Sequence, residues 1–433
     1  MSNIMTAEIS VLLITEMLPV VTGFAEQTGK AFGLTQAQQH KLVLAMEELF
    51  VFLAKQDEQQ STVRVTCRNG GYYVVLACLF PLHILPAAAF NITAKVSLDD
   101  DASLEEMGLL LAARAVDRLE VVRENREFLE LRLVVEKEYP AASTGLEPLV
   151  EQDGYVVQAT SHEILKQFAK RVSKAYAKIA PAFFAFPGKV VDMVASGEYD
   201  AVLAVNKQGY VGGGIFWRQT GKMIEFFGPY MFIGQEDLAQ AVTDQALIKL
   251  ARSQALCMVN LQPTTEVPQD YFETLGEIAI TAGDVEKEDV KHQVLYRQLE
   301  EDNGAKVFVH PKIAGFMEES YDRLVLPRTL LTTEYAGEAI LAHSAFSVAL
   351  DWPRGQAFLS VLAVGQDALN NLKEHVVFLR QEGIVNLFFY LDAGKAEEAL
   401  LVPALLGAGF TPRLVLPWGG YGDLVLFQQG EVF

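Results

Sequence analysis

The second half of the chain contains an internal repeat, which constrains the fold more than any other feature. Two segments, "GPYMFIGQEDLAQAVTDQALIKLARSQALCMVNLQ" and "LSVLAVGQDALNNLKEHVVFLRQEGIVNLFFYLD", share one plan: an apolar strand, a Gly-Gln-acid turn, a helix and a strand with Val-Asn-Leu. The turn glycines, Gly234 and Gly365, lie 131 residues apart, which is a common domain length. We therefore expect two α/β domains in which these glycines are equivalent and residues 259–261 match residues 385–387.

The flanking sequence predicts the rest of both repeats. Residues 198–232 have the pattern of three strands, and the glycines at 212–214 indicate a bulge or a close backbone approach. In both copies we expect a helix to end at a glycine before another strand, in "YFETLGEIAI" and in "ALLGAGFTPRL". The second copy closes with a hairpin in "GFTPRLVLPWGGYGDLVLFQ". We place these domains at residues 150–283 and 290–433.

The N-terminal part opens with a predicted amphipathic helix. Thr35 is its expected N-cap and Gln38 its capping-box partner, while apolar residues between 42 and 53 form a broad buried face. A hairpin, a second helical segment and a final hairpin follow, and residues 129–133 of the last strand alternate apolar and polar. This order predicts an α+β domain over residues 1–140, with helices over an antiparallel sheet. "PAASTGLEP" marks the linker that follows.

The cysteines and histidines predict neither a disulfide nor a metal site. Cys67 and Cys78 flank an expected Asn-Gly turn at 69–70, and pairing about that turn places Cys67 opposite residue 72 rather than opposite Cys78. Cys257 lies in an apolar strand, where a cysteine typically belongs to the core. The seven histidines form neither an HExxH motif nor a Cys/His cluster, so no metal ligand is predicted.

Charge and hydropathy exclude several classes of function. The 55 acidic residues outnumber the 35 basic ones, and the net charge of −20 repels nucleic-acid phosphates and anionic membranes. The apolar stretch "VLLITEMLPVVTGF" is interrupted by Glu16 and Pro19 and is too short to span a bilayer. "MSNIMTAEIS" lacks the basic region of a secretory signal. We therefore expect a cytoplasmic protein that binds neither nucleic acid nor membrane.

The N-terminal pattern resembles the small GHKL ATPase domain of anti-sigma-factor serine kinases. The resemblance rests on "GLTQAQQHKLVLAMEEL" and "MGLLLAARAVDRLEVVRENREFLELRL". In that family the first helix carries a Mg²⁺-binding Asn, and an Asp at a strand end binds the adenine amine. Val51 and Phe52 stand where the Asn belongs, Leu79 stands at the strand end, and the family's glycine near the phosphates survives only as Gly108.

These replacements predict that the nucleotide site has been lost. Without the amide, Mg²⁺ loses a hard oxygen ligand, and without the Asp the adenine amine has no acceptor. An unrelated helix with Val51 and Phe52 in its core is the alternative, and on either interpretation we expect no ATP binding. If the resemblance holds, it implies a partner of the sigma-factor or anti-sigma-antagonist type.

The repeated half resembles GNAT-type N-acyltransferases, which implies acetyl-CoA or another acyl-CoA as the cofactor. In working members the strand-to-helix turn carries Arg/Gln-x-x-Gly-x-Gly/Ala, and its backbone N–H groups hold the cofactor diphosphate. The turns here are "IGQEDLAQA" and "VGQDALNNL", each with one glycine and no arginine. The resemblance assigns Gly234, Gln235 and Glu236 of the first copy as the diphosphate turn.

Acidic residues in both turns oppose that assignment. Glu236, Asp237 and Asp367 lie in the first helical turn, where they stabilise the helix dipole and repel a diphosphate. Ordinary capped helices are therefore an alternative for both turns. Tyr230 and Tyr421 are conceivable general acids, but nothing in the sequence places either beside a substrate, so no catalytic residue is assigned.

The predicted fold class is a multidomain α+β and α/β chain: a GHKL-like sandwich of helices over an antiparallel sheet, followed by tandem GNAT-like mixed-sheet domains packed as a pseudo-dimer. Two functions stay open. The first is a regulatory or binding protein that has lost its catalytic sites and binds a protein partner or a small acyl ligand. The second is an acyl-CoA-dependent N-acyltransferase with a diverged first turn. The missing diphosphate loop favours the first.

Overall fold

A computed structural model describes residues 5–57, 59–81, 91, 93, 112, 115–123, 128–142, 154–158, 161–234, 236–281, 289–351 and 354–430. Within them the chain is a mixed α+β protein with several sheets. Its contacts divide it into two compact units. The first contains Met1–Glu138, Ala339–Ala349 and Leu359–Phe378, and the second contains Tyr139–Glu338, Leu350–Phe358 and Leu379–Phe433. The three domain ranges expected from the sequence stay a prediction.

The first sheet is antiparallel throughout. Its strands are β1 (Thr6–Leu12), β2 (Thr62–Asn69), β3 (Tyr73–Pro81), β4 (Arg118–Arg123) and β5 (Phe128–Glu136), in the order β1-β2-β3-β5-β4. Helices α1 (Leu18–Ala31) and α2 (Gln36–Gln56) share one apolar core with alternate residues of these strands. The alternation expected over residues 129–133 is confirmed. The sequence patterns did not predict β1 or α1, because α1 is rich in glycine and β-branched residues and so has low helix propensity.

A capping box sets the residue at which α2 begins. Thr35 Oγ1 accepts from Gln38 N at 3.4 Å and Gln38 Oε1 accepts from Thr35 N at 2.9 Å, which confirms the capping box.

The predicted register of the β2–β3 hairpin is wrong. Asn69 pairs with Val74, so the turn lies later than 69–70 and Cys67 lies opposite Leu76 instead of residue 72. All three cysteines are buried and free.

The second sheet is mixed and has seven strands, in the order β11-β12-β10-β9-β8-β7-β6. They are β6 (Val156–Gln158), β7 (Tyr199–Val205), β8 (Val211–Thr220), β9 (Met223–Met231), β10 (Cys257–Asn260), β11 (Glu273–Thr281) and β12 (Asp289–Gln298), with helices α3 (His162–Ala175), α4 (Pro187–Ser196) and α5 (Glu236–Leu250). The three strands predicted over 198–232 are β7, β8 and β9. A Cβ at Gly213 would overlap the Tyr230 carbonyl and the Met231 side chain, and the register shifts between Gly214 and Phe216, so the close approach and the bulge are confirmed.

The C-terminal part contains a parallel pair, β13 and β14, and a five-stranded sheet in the order β15-β16-β17-β19-β18. The strands are β13 (Ala305–Val309), β14 (Arg328–Thr332), β15 (Ala345–Asp351), β16 (Gln356–Ala363), β17 (Asn386–Asp392), β18 (Phe410–Leu416) and β19 (Leu424–Gln429). The helices are α6 (Ala314–Arg323), α7 (Ala368–Gln381), α8 (Ala396–Ala399) and α9 (Val402–Gly407). The predicted closing hairpin is the antiparallel pair of β18 and β19.

The seven-stranded sheet and the C-terminal five-stranded sheet share one succession of strands. The order β8-β9-β10-β12-β11 in one corresponds to β15-β16-β17-β19-β18 in the other. Gly234 follows β9 and precedes α5, and Gly365 follows β16 and precedes α7. The predicted match of the two Val-Asn-Leu motifs is wrong, because Asn260 ends its strand whereas Asn386 begins its strand.

One predicted helix end is also wrong. In "YFETLGEIAI" the segment Glu273–Thr281 is strand β11, and Gly276 lies at a bulge in it. Alternation of Leu275 and Ile278 with exposed Glu273 and Glu277 across the bulge produces this strand. In "ALLGAGFTPRL" the prediction is confirmed, because α9 ends at Gly407 before β18.

Helix α6 ends in a Schellman motif whose left-handed residue is a valine. Leu326 N donates to Tyr321 O at 3.0 Å and Val325 N donates to Asp322 O at 3.2 Å. Val325 has φ 52° and is 85% exposed. A left-handed conformation costs an L-residue about 1–2 kcal/mol and is tolerated best by Gly or Asn. The exposed valine side chain offsets little of this cost.

We therefore expect Val325→Asn to raise the free energy of unfolding by about 0.5–1 kcal/mol, measured by thermal and urea denaturation. The matched control is Val377→Asn. Val377 is 55% exposed within α7, where no left-handed strain is relieved, so no gain is expected there. Equal effects of the two substitutions would contradict the assignment of strain to residue 325.

Candidate functional site

The first predicted turn lies open at the end of β9. Gly234 is exposed, and a Cβ added to it would meet no atom within 4 Å. Glu236 is the first residue of α5 and Asp237 is exposed. Gln235 and the side chain of Glu236 lie outside the described residues. Backbone N–H groups at the start of a 15-residue helix are suited to bind an anion, although Asp237 opposes this.

The second predicted turn is covered by a segment of its own unit. Leu341 forms a parallel bridge with Gly365, and Gln366 N donates to Leu341 O at 2.9 Å. A Cβ at Gly365 would overlap the backbone of His343 and Ser344, so only glycine fits. The Gln366 N–H group, which a bound anion would need, is therefore already bonded to the Leu341 carbonyl.

Asp367 hydrogen-bonds residues 343 and 344 to the start of α7. Its Oδ1 accepts from Ser344 N at 2.6 Å and from Ser344 Oγ at 2.7 Å, and its Oδ2 lies 3.1 Å from His343 Nδ1. Burial acts to raise the pKa of Asp367, but the hydrogen bonds from Ser344 and His343 outweigh burial and lower the pKa. Asn371 Nδ2 and Asn91 Nδ2 each donate to Ser344 O at 2.9 Å. Asp367 thus acts as a side-chain cap for this segment.

The end of β9, beyond its pairing with β10, is the third feature of this region. The parallel pairing joins only Met223–Glu225 to Cys257–Val259, so later backbone groups of β9 have no partner on β10. Side chains take that place: Asn260 Nδ2 donates to Gly228 O at 2.9 Å, and Thr264 Oγ1 donates to Pro229 O at 2.7 Å. Both carbonyls are occupied by side chains of the same unit.

Tyr176 binds the last residue of β9. Its hydroxyl accepts from Met231 N at 2.9 Å and lies 2.8 Å from Met231 O and 2.9 Å from Glu266 Oε1. The ring of Tyr230 packs against that of Tyr176 at 4.9 Å. Burial is the main reason that the pKa of both phenols is raised. Both therefore stay protonated and fill space at the end of β9.

The two candidate general acids lie in different surroundings. Tyr230 is 2% exposed at the end of β9, and Tyr421 is 82% exposed in the loop between β18 and β19. Burial among aromatic rings favours a packing role for Tyr230. No catalytic group follows from either position.

The N-terminal positions predicted to have lost nucleotide ligands are largely apolar packing positions. Phe52 is 2% exposed in the core beneath the first sheet, and Val51 is half-buried. Leu79 is half-buried on β3, opposite Arg64 and Glu130. Gly108 lies outside the described residues.

A buried ionic cluster was missed by sequence reasoning. The side chains of Arg328, Asp302 and Asp423 are 0%, 3% and 0% exposed. Arg328 Nε donates to Asp423 Oδ2 at 2.7 Å, and Arg328 Nη2 donates to Asp302 Oδ2 at 2.8 Å. Trp418 Nε1 donates to Asp302 Oδ2 at 2.8 Å. The three charged residues are distant in sequence and form no motif, so no local signal marks them.

The cluster stabilises the loop between β18 and β19. Burial acts to raise the pKa of Asp302, but bonds from Arg328, Trp418 and Gly304 N outweigh burial and lower it. Trp418 N donates to Asp423 Oδ1 at 2.9 Å, which stabilises the left-handed φ of 57° at Trp418. All these partners are internal, so we assign the cluster to stability rather than to binding.

The described part of the chain supports neither a metal site nor a membrane-spanning helix. No group of three or more His, Cys, Asp or Glu side chains there is arranged to hold a metal ion. No helix in the same residues has both the length and the apolar composition needed to cross a membrane.

Comparison with known proteins finds likeness in structure alone. No protein family and no curated protein match the sequence. An acetyltransferase of the GNAT family from Staphylococcus aureus Mu50 is similar over 34% of this chain and 100% of its own, with 13% identity and a TM-score of 0.26. A GNAT superfamily phosphinothricin acetyltransferase from Sinorhizobium meliloti, in complex with AcCoA, is similar over 34% and 88%, with 13% identity and a TM-score of 0.27.

A third similar structure is of another kind. The SiaB–SiaC complex from Pseudomonas aeruginosa matches 31% of this chain and 90% of the matched chain, with 16% identity and a TM-score of 0.24. TM-scores of this size assign neither a fold family nor a function.

Proposed function

We propose that this chain is a regulatory binding protein with a GHKL-like N-terminal domain that has lost its nucleotide site and tandem GNAT-like domains that have lost their cofactor clefts. Its domains span residues 1–140, 150–283 and 290–433, and the repeated domains pack as a pseudo-dimer. Its partner is a protein, of the sigma-factor or anti-sigma-antagonist type that the GHKL resemblance implies.

The observation that carries the proposal is the occupied end of β9. An acyl-CoA arm lying between separated strands needs free backbone donors and acceptors along one of them. Asn260, Thr264 and Tyr176 instead bind the Gly228 and Pro229 carbonyls and both backbone groups of Met231. Displacing them would leave buried polar groups unpaired, at a cost of about 1–3 kcal/mol each.

The second turn and the N-terminal helix support the same conclusion. In the second copy the helix start is already bonded to Leu341 O and to Ser344. At the N-terminus, Phe52 is a core residue whose side chain has no atom able to ligate Mg²⁺. At the second turn and at Phe52, contacts within the chain fill the places that a ligand would need.

Calorimetric titration of the whole chain tests the proposal. We expect no heat with acetyl-CoA at millimolar concentration and no saturable binding of ATP with Mg²⁺. Binding of either with a dissociation constant below about 100 μM, roughly −5.5 kcal/mol, would overturn the proposal for the corresponding domain. A longer acyl-CoA serves as a further probe of the repeated domains.

An acyl-CoA-dependent N-acyltransferase is the second candidate, because the turn at Gly234 is open whereas that at Gly365 is covered. Its diphosphate would bind the backbone of Gly234, Gln235 and Glu236. If so, Glu236→Gln with Asp237→Gln should strengthen CoA binding, and the gain should shrink as salt rises. The same titration on this variant decides the question, and no heat with either protein rejects this candidate.

A further inference from the structure

Strand β11 is an outer strand of the seven-stranded sheet, and one end of it has no charged residue to protect its edge. β12 is its one strand neighbour among the described residues. An exposed strand edge can pair with another molecule, and charged side chains commonly prevent this. Glu273 and Glu277 are exposed along the first part of β11. The last three residues, Ala279, Ile280 and Thr281, carry no charge, so this end needs another kind of protection.

Two side-chain amides bind the backbone at this end of β11. Asn386 Oδ1 accepts from Thr281 N at 2.9 Å, and Asn386 Nδ2 donates to Thr281 O at 3.1 Å. Gln428 Oε1 accepts from Ala279 N at 3.1 Å, and Gln428 Nε2 donates to Ala279 O. A carboxamide presents an acceptor and a donor side by side, as the backbone of a neighbouring strand does. Each amide therefore takes the place of one residue of a paired strand.

The spacing of the two amides matches the repeat of the strand. Ala279 and Thr281 are two residues apart, which is about 7 Å along a β-strand. Gln428 lies opposite Phe388 in the pairing of β17 with β19, and Asn386 is two residues from Phe388 on β17. Such diagonal neighbours lie about 7–8 Å apart on one face of a sheet. The C-terminal sheet thus presents two carboxamides at the spacing of an extended chain.

The path of β11 across the C-terminal sheet explains why these amides reach it. A Cβ at Gly276 would lie 3.0 Å from the carbonyl oxygen of Arg413 on β18, so glycine allows a close approach there. Ala279 meets β19 and Thr281 meets β17. Since β18, β19 and β17 are successive strands of the C-terminal sheet, β11 crosses three neighbouring strands and offers its backbone to each in turn.

The burial of the two amides supports a role at this edge. Asn386 is 2% exposed and Gln428 is 6% exposed. A buried carboxamide destabilises a fold unless its donor and its acceptor are both hydrogen-bonded. Here each amide uses both on the backbone of a single residue of β11. Apolar side chains would fill the same space but could not bond these backbone groups.

We propose that Asn386 and Gln428 block the edge of β11 in cis: the C-terminal sheet occupies backbone groups that would otherwise take a strand from a second molecule. The two carboxamides close this edge without a further strand, and they hold the two sheets together. The inference is independent of the proposed function, since it concerns self-association and requires neither a partner protein nor a cofactor.

Hydrogen exchange resolved to single amides tests the contact. Asn386→Leu keeps a side chain of similar volume but removes the acceptor of Thr281 N. It should speed exchange at Thr281 by about tenfold or more while exchange at Ala279 changes little. Gln428→Met should have the reverse effect, because it removes only the acceptor of Ala279 N. Fast exchange at both amides in the wild type would contradict the contact itself.

Gln429→Met is the matched control. Gln429 lies next to Gln428 on β19 and is 7% exposed, but its Oε1 accepts from Arg380 Nη2. The substitution removes a buried amide from the same strand without removing a bond to β11, so exchange at Ala279 and Thr281 should stay slow. A similar rise in exchange for all three variants would mean that the amides act on general stability alone, which would overturn the proposal.

Sedimentation equilibrium of the whole chain tests the blocked edge. The double variant Asn386→Leu with Gln428→Met should self-associate as its concentration rises, while circular dichroism shows a folded protein. Adding Ala279→Pro removes an N–H that bonds Gln428 rather than β12, and it should abolish this association. If the double variant does not fold, the single variants are compared in the same way, because each keeps one amide pair. A folded variant that associates no more than the wild type up to about 100 μM, or an association that survives Ala279→Pro, would overturn the proposal.

Discussion

Replacing Arg328 with methionine is expected to lower the free energy of unfolding by about 3–5 kcal/mol. The substitution keeps an apolar stem of similar length but leaves the buried carboxylates of Asp302 and Asp423 without their cation. Removing one partner of a buried ion pair costs this much because the remaining charge is uncompensated in a medium of low polarity. Urea denaturation of the two proteins measures the difference.

The matched control is the same substitution at an exposed pair. Arg64 Nε lies 3.6 Å from Glu8 Oε1, and both side chains are more than half exposed. Arg64→Met should change stability by less than about 1 kcal/mol, because water screens such a pair. Similar losses at residues 328 and 64 would show that the cluster has no special role in stability.

Lowering the pH from 8 to 5 should destabilise the protein partly through His375, and His375→Gln should remove about 2 kcal/mol of that loss. His375 is fully buried in α7, its Nδ1 lies 2.9 Å from Asn371 O, and its Nε2 has no hydrogen-bond partner among the described residues. Burial lowers the pKa of His375 to about 4, from an ordinary value of 6.5.

The direction of this pH effect on stability follows from which state, folded or unfolded, binds the proton. Between pH 6.5 and 4 the unfolded chain protonates this imidazole while the folded chain does not, so stability is present above pH 6.5 and is lost as the pH falls through this window. Other groups contribute to acid unfolding in both proteins, so the informative quantity is the difference between wild type and variant at pH 5, 6, 7 and 8. A difference that does not vary with pH would mean that His375 is not buried as a neutral ring.

Short-range patterns were sufficient for many elements. The capping box of Thr35 and Gln38, the strand at 129–133 and the three strands before Gly234 were predicted because each depends on residues a few positions apart. The predicted register at Cys67 and the strand at Gly276 failed for a related reason. Turn length and a bulge shift pairing by a few residues without leaving a clear mark in the sequence.

The sequence decided some features of the candidate site and the tertiary structure decided the others. The sequence alone determined the missing turn residues around Gly234 and Gly365, the acidic charge beside them and the repeated order of strand, turn and helix. Only the tertiary structure decided which turn is open, that Leu341 covers Gly365, that Asn260 and Thr264 occupy the end of β9, and that Arg328 meets two aspartates. Hydrophobic periodicity encodes which face of an element is buried. It does not encode which distant side chain satisfies a given buried polar group, because that choice depends on packing between residues that can lie 253 positions apart in the chain.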